Sequence, residues 1–220
     1  MEAAHDRCTA WWNAPIAAGV PDMARSGRRM AERARCRLLL DQVRPEPGTP
    51  VSRTHSHGHA GLAVGPAGTR VGIDLEREVE RDFVRLTELA YAPEESSWLR
   101  KLPADERRRS FYCLWTLKEA FAKALDLDLA TALAECRFAP THDGFVAMVP
   151  TGARWSAAVF EPYVGYRMAV VSVAPAGALR EVPIEIAGVP GIFRRTTRDY
   201  ARVTRRLDRD WFHSSRETGR

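Results

Sequence analysis

From Arg107 to Leu125 the chain reads RRRSFYCLWTLKEAFAKAL, with neither glycine nor proline to interrupt it. Phe111, Leu114, Trp115, Leu117, Phe121, Ala124 and Leu125 recur at helical spacing, which predicts one amphipathic helix with a broad apolar stripe. Trp115, Glu119 and Lys123 follow one another at i, i+4 and i+8 and fall along a single ridge, beside Lys118. Taken alone, that ridge is a solvated face whose Glu-to-Lys pair contributes roughly a few tenths of a kcal/mol. A second stretch changes its meaning.

That stretch is Arg70–Glu76, RVGIDLE. Strand alternation puts Val71, Ile73 and Leu75 on one face and Gly72, Asp74 and Glu76 on the other. Two carboxylates projecting the same way repel unless a cation or a proton lies between them. A third carboxylate from a helix, Glu119, would complete an oxygen set suited to Mg²⁺, an ion that keeps several waters and binds phosphates.

The chain has 220 residues, 45% hydrophobic and 28% charged, with no long apolar span. This bounds it as a compact protein with a real core and excludes a membrane-spanning helix. Its net charge of +5 suits an anionic partner. Cys8, Cys36, Cys113 and Cys136 form no CxxC and read as free, mostly buried thiols of a reducing cytoplasm. The N-terminus shows no secretory signal. Trp11, Trp12 and Ile16 cover a core edge, broken by Pro15 and Pro21.

Arg25–Val43 predicts a basic helix, with Arg28, Arg33, Arg35 and Arg37 among its cations. A turn-rich loop, PEPGTP at 45–50, follows. His55, His57 and His59 alternate, so a strand through them would present one histidine face to a transition metal, whereas a loop would not. Ala60–Val64 reads as a buried strand, Asp82–Ala90 as a helix, and Trp155–Glu161 with Tyr166–Val173 as a hairpin. Arg194, Arg195, Arg198, Arg202, Arg205, Arg206 and Arg209 crowd the end, with Tyr200, Trp211 and Phe212 between them. That end is expected to be a partly disordered solvated extension, or else a basic amphipathic helix for an acidic or nucleic-acid surface.

Gly72-Ile73-Asp74-Leu75-Glu76 and Trp115-Thr116-Leu117-Lys118-Glu119-Ala120-Phe121-Ala122-Lys123 resemble the two signature motifs of the 4′-phosphopantetheinyl transferases, (V/I)-G-(I/V)-D-x-E and W-x-x-K-E-x-x-x-K. The resemblance runs from about residue 28 to residue 175, and the chain's length points to the single-chain, surfactin-synthetase type. It implies an α+β fold of two similar lobes with pseudo-two-fold symmetry, each a small, mainly antiparallel sheet packed with helices. The expected division is an N-terminal lobe at 1–68, a C-terminal lobe at 69–178 and a basic extension at 179–220. The implied activity is Mg²⁺-dependent transfer of 4′-phosphopantetheine from coenzyme A to a serine of an apo acyl or peptidyl carrier protein, as in secondary-metabolite biosynthesis. Mn²⁺ is the alternative ion, and the expected form is a cytoplasmic monomer.

By the same resemblance Asp74, Glu76 and Glu119 hold the metal, while Glu119 and Lys123 are catalytic. Lys118 and Lys123 place charge at the diphosphate. Thr54 and His55 stand where the family has S-H of an S-H-S motif and contact a cofactor phosphate, and Arg28, Arg33, Arg35 and Arg37 are candidates for the 3′-phosphate of coenzyme A. The proton of the acceptor serine goes to Glu119 or to a metal-bound water, a choice the motif leaves open. Two departures stand out. Gly48-Thr49-Pro50 lacks the cation of the family's G-(K/R)-P, and Asp126-Leu127-Asp128-Leu129 replaces a glycine-bearing turn. Those departures leave room for a non-catalytic adaptor that binds coenzyme A or a carrier protein, and the arginine-rich end leaves room for nucleic-acid binding.

Overall fold

The computed structural model describes residues 6–13, 25–187 and 201–205. Two sheets stack face to face, and helices cover their outer sides. The first sheet contains β1 (Cys8–Asn13), β2 (Val51–Ser56), β3 (His59–Val64) and β9 (Ile184–Ile186), in the order β2-β3-β1-β9. The second contains β4 (Arg70–Arg77), β5 (Arg137–Thr141), β6 (Gly144–Met148), β7 (Trp155–Phe160), β8 (Tyr166–Val173) and β10 (Ala201–Arg205), in the order β4-β8-β7-β10-β6-β5. Helix α1 (Arg25–Val43) lies on the first sheet, with Leu39 packed on Leu62. Helices α2 (Phe83–Ala90), α3 (Pro93–Lys101), α4 (Ala104–Leu125) and α5 (Leu129–Glu135) belong to the second.

Strand alternation builds these layers. Val71, Ile73 and Leu75 of β4, with Met168 and Val170 of β8, meet Cys8, Ala10, Trp12 and Ala63 between the sheets. The opposite face of β8, Ala169, Val171 and Val173, packs with Leu114, Leu117, Phe121 and Leu125 of α4. The expected α+β class holds, and the sheets are mainly antiparallel. Among the described residues the first sheet brings four strands and one helix, the second six strands and four helices.

The end of the chain departs from expectation. Ile184–Ile186 pairs with β1, parallel to it. Ala201–Arg205 lies between β6 and β7, parallel to the first and antiparallel to the second, with Val203 buried. These segments are therefore neither a solvated extension nor a helix. The other arginines and aromatics singled out near the end lie outside the described residues, as do Pro15, Ile16 and Pro21.

One contact fixes α4 against β4. A Cβ on Gly72 would lie 1.9 Å from the Ala120 carbonyl oxygen and 2.9 Å from the Ala124 nitrogen. The strand therefore rests on the helix backbone itself, an approach that only glycine permits. Gly72→Ala is expected to cost about 3 kcal/mol or more, because neither backbone can retreat. Urea denaturation measures it, and a loss below about 1 kcal/mol would show that the layers yield.

Candidate active site

The edges of the two sheets meet where β2 runs beside β4. Alternate residues of β2 are buried there, and their hydroxyls replace a missing backbone ladder. Ser52 Oγ accepts from the Ile73 N–H at 3.2 Å, Thr54 Oγ1 from Leu75 at 3.0 Å and Ser56 Oγ from Arg77 at 3.2 Å. The free edge of β4 is thereby satisfied without a further strand. Two of these hydroxyls also hold the acids. Thr54 donates to Asp74 Oδ1 at 3.3 Å, and Ser56 donates to Glu76 Oε2 at 3.2 Å.

On the other side, α4 presents Glu119 and Lys123, each next to a residue of the Gly72 contact. Lys123 Nζ donates to Asp74 Oδ1 and to the Ile73 carbonyl, both at 2.8 Å. Asp74 Oδ2 is buried and has no hydrogen-bond partner. Burial and the neighbouring Asp74 push the Glu76 carboxyl up to about 7, with Ser56 and Arg81 opposing and Glu119 adding to the rise. Glu119 is raised for the same leading reasons, burial and then Asp74, and Lys123 offsets part of it. Arg167 stands opposite Glu76 in the ladder but is engaged elsewhere, its Nε and Nη2 lying 3.0 and 2.6 Å from Glu78 Oε1.

Excess negative charge is therefore concentrated where β4 meets α4, with an orphaned carboxylate oxygen at its centre. This donor set is chemically suited to a hard divalent cation. Among the described residues no three His, Cys, Asp or Glu side chains are gathered into a finished metal cluster. Lys123 occupies Asp74 and neutralises part of the charge.

Two of the expected cofactor contacts are corrected. Lys118 is fully buried on the apolar stripe of α4, 2.9 Å from Glu95 Oε2, and it donates to the carbonyls of Leu133 and Cys136. Glu95 in turn accepts from the N–H groups of Ala92 and Phe138, so the pair ties α3, α4 and β5 together. Burial pushes both groups toward their neutral forms, and their mutual attraction opposes it. Lys118 cannot reach a diphosphate. Thr54 is only 5% exposed, and its hydroxyl already donates to Asp74 and accepts from Leu75. It positions an acid rather than a ligand.

The histidines do not share one face. The β2–β3 hairpin turns at His57 and Gly58, which have φ values of 46° and 83°. His59 is wedged between Tyr163 and Tyr166, with ring centroids 4.6 and 4.2 Å away, and burial holds its pKa below the ordinary value. His55 leans on Glu32, its Nδ1 3.1 Å from Oε2. A transition-metal site on these three is excluded by their divergence.

On α1 the packed face carries Glu32, Arg35, Cys36 and Leu39, while Arg33 and Arg37 are exposed. Arg35 Nη1 is buried and lacks a hydrogen-bond partner. Arg28 lies in the helix, and its side chain is outside the described residues. The 45–50 loop, with Arg7, Trp11 and Arg44, lines a cavity of about 340 Å³. Sequence reasoning missed Arg7 and Arg44, which bring cations to a loop that lacks its own. The Asp126–Leu129 segment also has a local explanation: Asp126 closes α4 in the left-handed conformation, and Asp128 caps α5 through Thr131.

Lys118 and Lys123 should separate under substitution. Lys118→Ala strands Glu95 in the core and is expected to cost about 3–5 kcal/mol. Lys123→Ala, at a part-exposed pair, should cost about 1 kcal/mol or less. Thermal melting of the two variants checks this, and equal losses would contradict the division of roles.

One of three comparisons with known proteins is placed on this same region. Residues 70–171 match the family model described as the 4′-phosphopantetheinyl transferase superfamily. The protein slr0495 of Synechocystis sp., provisionally named a 4′-phosphopantetheinyl transferase, is 33% identical over 87 residues, which is 39% of this chain and 34% of that protein. The chain thus spans about a third of that relative's length. A Bacillus anthracis holo-(acyl-carrier-protein) synthase, solved in complex with CoA (3′,5′-ADP), overlaps at TM-score 0.44 with 14% identity, covering 49% of this chain and 96% of that one. The Thermotoga maritima holo-[acyl-carrier-protein] synthase overlaps at 0.36 with 23% identity, covering 48% and 63%. Both overlaps are too partial to carry any site residue across. The stretch from β4 to β8, which holds Asp74, Glu76, Glu119 and Lys123, is the part of the chain that matches the 4′-phosphopantetheinyl transferase superfamily.

Proposed function

We propose that this protein transfers 4′-phosphopantetheine from coenzyme A to a serine hydroxyl of an acyl or peptidyl carrier protein, releasing adenosine 3′,5′-bisphosphate. The observation that carries this reading is the juxtaposition of Asp74, Glu76, Glu119 and Lys123 across the Gly72 contact, within the segment that matches the superfamily. The length of 220 residues favours the single-chain type of that family.

In this reading Asp74, Glu76 and Glu119 hold Mg²⁺, or Mn²⁺ in its place. The ion neutralises charge on the diphosphate when bound. Thr54 and Ser56 keep the Asp74 and Glu76 carboxylates aimed, so little ordering remains when ligand arrives. Lys123 moves from Asp74 toward the diphosphate and supplies a positive charge where the leaving phosphate gains a negative one. The serine oxygen forms the new bond to phosphorus, the bond to the bisphosphate oxygen breaks, and the serine proton passes to a carboxylate. Glu119 can take that proton only through a carboxylate oxygen that it does not commit to the cation.

Further along the ligand, His55 and Arg35 are the candidates for phosphate contacts, with the exposed Arg33 and Arg37 behind them. The cavity beside the 45–50 loop, with Arg7 and Arg44, suits the nucleotide end. The acidic character expected of a carrier protein suits the net charge of +5.

Intact-mass spectrometry of an apo carrier protein incubated with this protein, coenzyme A and Mg²⁺ tests the reading. The expected outcome is a gain of one phosphopantetheinyl group that is lost with EDTA and falls at least about 100-fold in rate with Glu119→Ala or Lys123→Ala. Coenzyme A binding without transfer to any of several carrier proteins would indicate an adaptor. Absence of coenzyme A binding would overturn the proposal.

A further inference from the structure

Glu32 is a carboxylate on the packed face of α1, only 6% exposed. Both of its oxygens are spent on the β2–β3 hairpin. Oε1 accepts from the Gly58 N–H at 3.1 Å, and Oε2 lies 3.1 Å from His55 Nδ1. Arg35, one turn along the same helix face, closes on the same turn. A Cβ on Gly58 would lie 2.8 Å from Arg35 Nη1. Helix α1 therefore grips the hairpin at its turn and at the histidine that precedes it.

We propose that Glu32 is a positioning residue that fixes the ring of His55, so that Nε2 is the nitrogen left for a phosphate of the bound ligand. This rests on the reading of His55 as a phosphate contact given above. An ionised carboxylate only accepts hydrogen bonds, so the proton in this contact belongs to Nδ1. The ring is thereby held in one orientation and one tautomer. With 42% of its side chain exposed, His55 keeps its other edge accessible. Because Nδ1 is committed, Nε2 can donate to an anion only when the ring is protonated. Glu32 itself touches no ligand and acts through His55.

Two measurements on the full chain test this. Nitrogen-detected NMR of the imidazole rings, with His55 assigned by its loss in His55→Ala, is expected to show a proton on Nδ1. In Glu32→Gln the amide keeps an oxygen for the Gly58 N–H but can present its NH₂ to Nδ1, and the proton should move to Nε2. Calorimetric titration with coenzyme A is then made on the wild type, Glu32→Gln, His55→Ala and the double variant. Glu32→Gln is expected to weaken binding about ten-fold in the wild-type background, and less than about two-fold when His55 is already absent. Rescue of tight binding by Glu32→Asp would agree. An Nε2 proton with none on Nδ1 in the wild type, or the same loss in both backgrounds, would overturn the proposal and leave Glu32 a structural residue. If the wild type binds no coenzyme A, the phosphate role falls with the functional reading, and the ring spectrum alone decides whether Glu32 sets the tautomer.

Discussion

The site depends on the absence of one side chain. At Gly72 the strand lies directly on the backbone of α4, closer than any residue with a Cβ could come. Asp74 is two residues along the same strand face. Glu119 and Lys123 are the immediate neighbours of Ala120 and Ala124, whose backbone atoms form the other half of the contact. Asp74, Glu119 and Lys123 are therefore anchored within two residues of a rigid, close-packed point, and Glu76 follows Asp74 on the same strand face. Interiors packed at this density do not deform continuously, and a catalytic arrangement needs positions that hold.

The second constraint is the row of hydroxyls on β2. Ser52, Thr54 and Ser56 join two sheets at edges that would otherwise expose unpaired N–H groups. Two of these hydroxyls, on Thr54 and Ser56, also orient Asp74 and Glu76. One short pattern of alternating polar residues thus serves both the architecture and the acids. The replacement of a motif serine by Thr54 is explained by this geometry, since threonine retains the one group that is used.

Much of this was legible in the sequence. The Arg107–Leu125 stripe, the alternation of Arg70–Glu76, the bounds of the basic helix and the Tyr166–Val173 strand all stand as read, because period and breakers decide such elements locally. Lys118 was misread because it adjoins Glu119 in sequence. A helical wheel puts it with Leu114, Phe121 and Leu125 on the buried stripe, and that signal was available. The polar His142-Asp143 turn followed by Gly144, between Phe138 and Phe145, likewise marked the β5–β6 hairpin. Ala201–Arg205 gave no such warning. Its place inside the second sheet rests on long-range pairing with β6 and β7, and only Val203 hints at a buried face. Arg35 could not be chosen over Arg33 and Arg37 until the helix was docked.

The central claim is that the charge gathered by β4 and α4 is held ready for a divalent cation. Glu76, pushed up to about 7, binds a proton that a cation would displace, and Glu119 is raised in the same direction. Below the raised pKa the carboxyls are protonated and binding must release protons; well above it they are already ionised and the release fades. Calorimetric titration of Mg²⁺ near pH 7, in two buffers of different ionisation enthalpy, measures that release. The account predicts net proton release that shrinks by pH 9 and is reduced in Glu76→Gln. Mg²⁺ binding with no proton released, undiminished in Glu76→Gln, would contradict it.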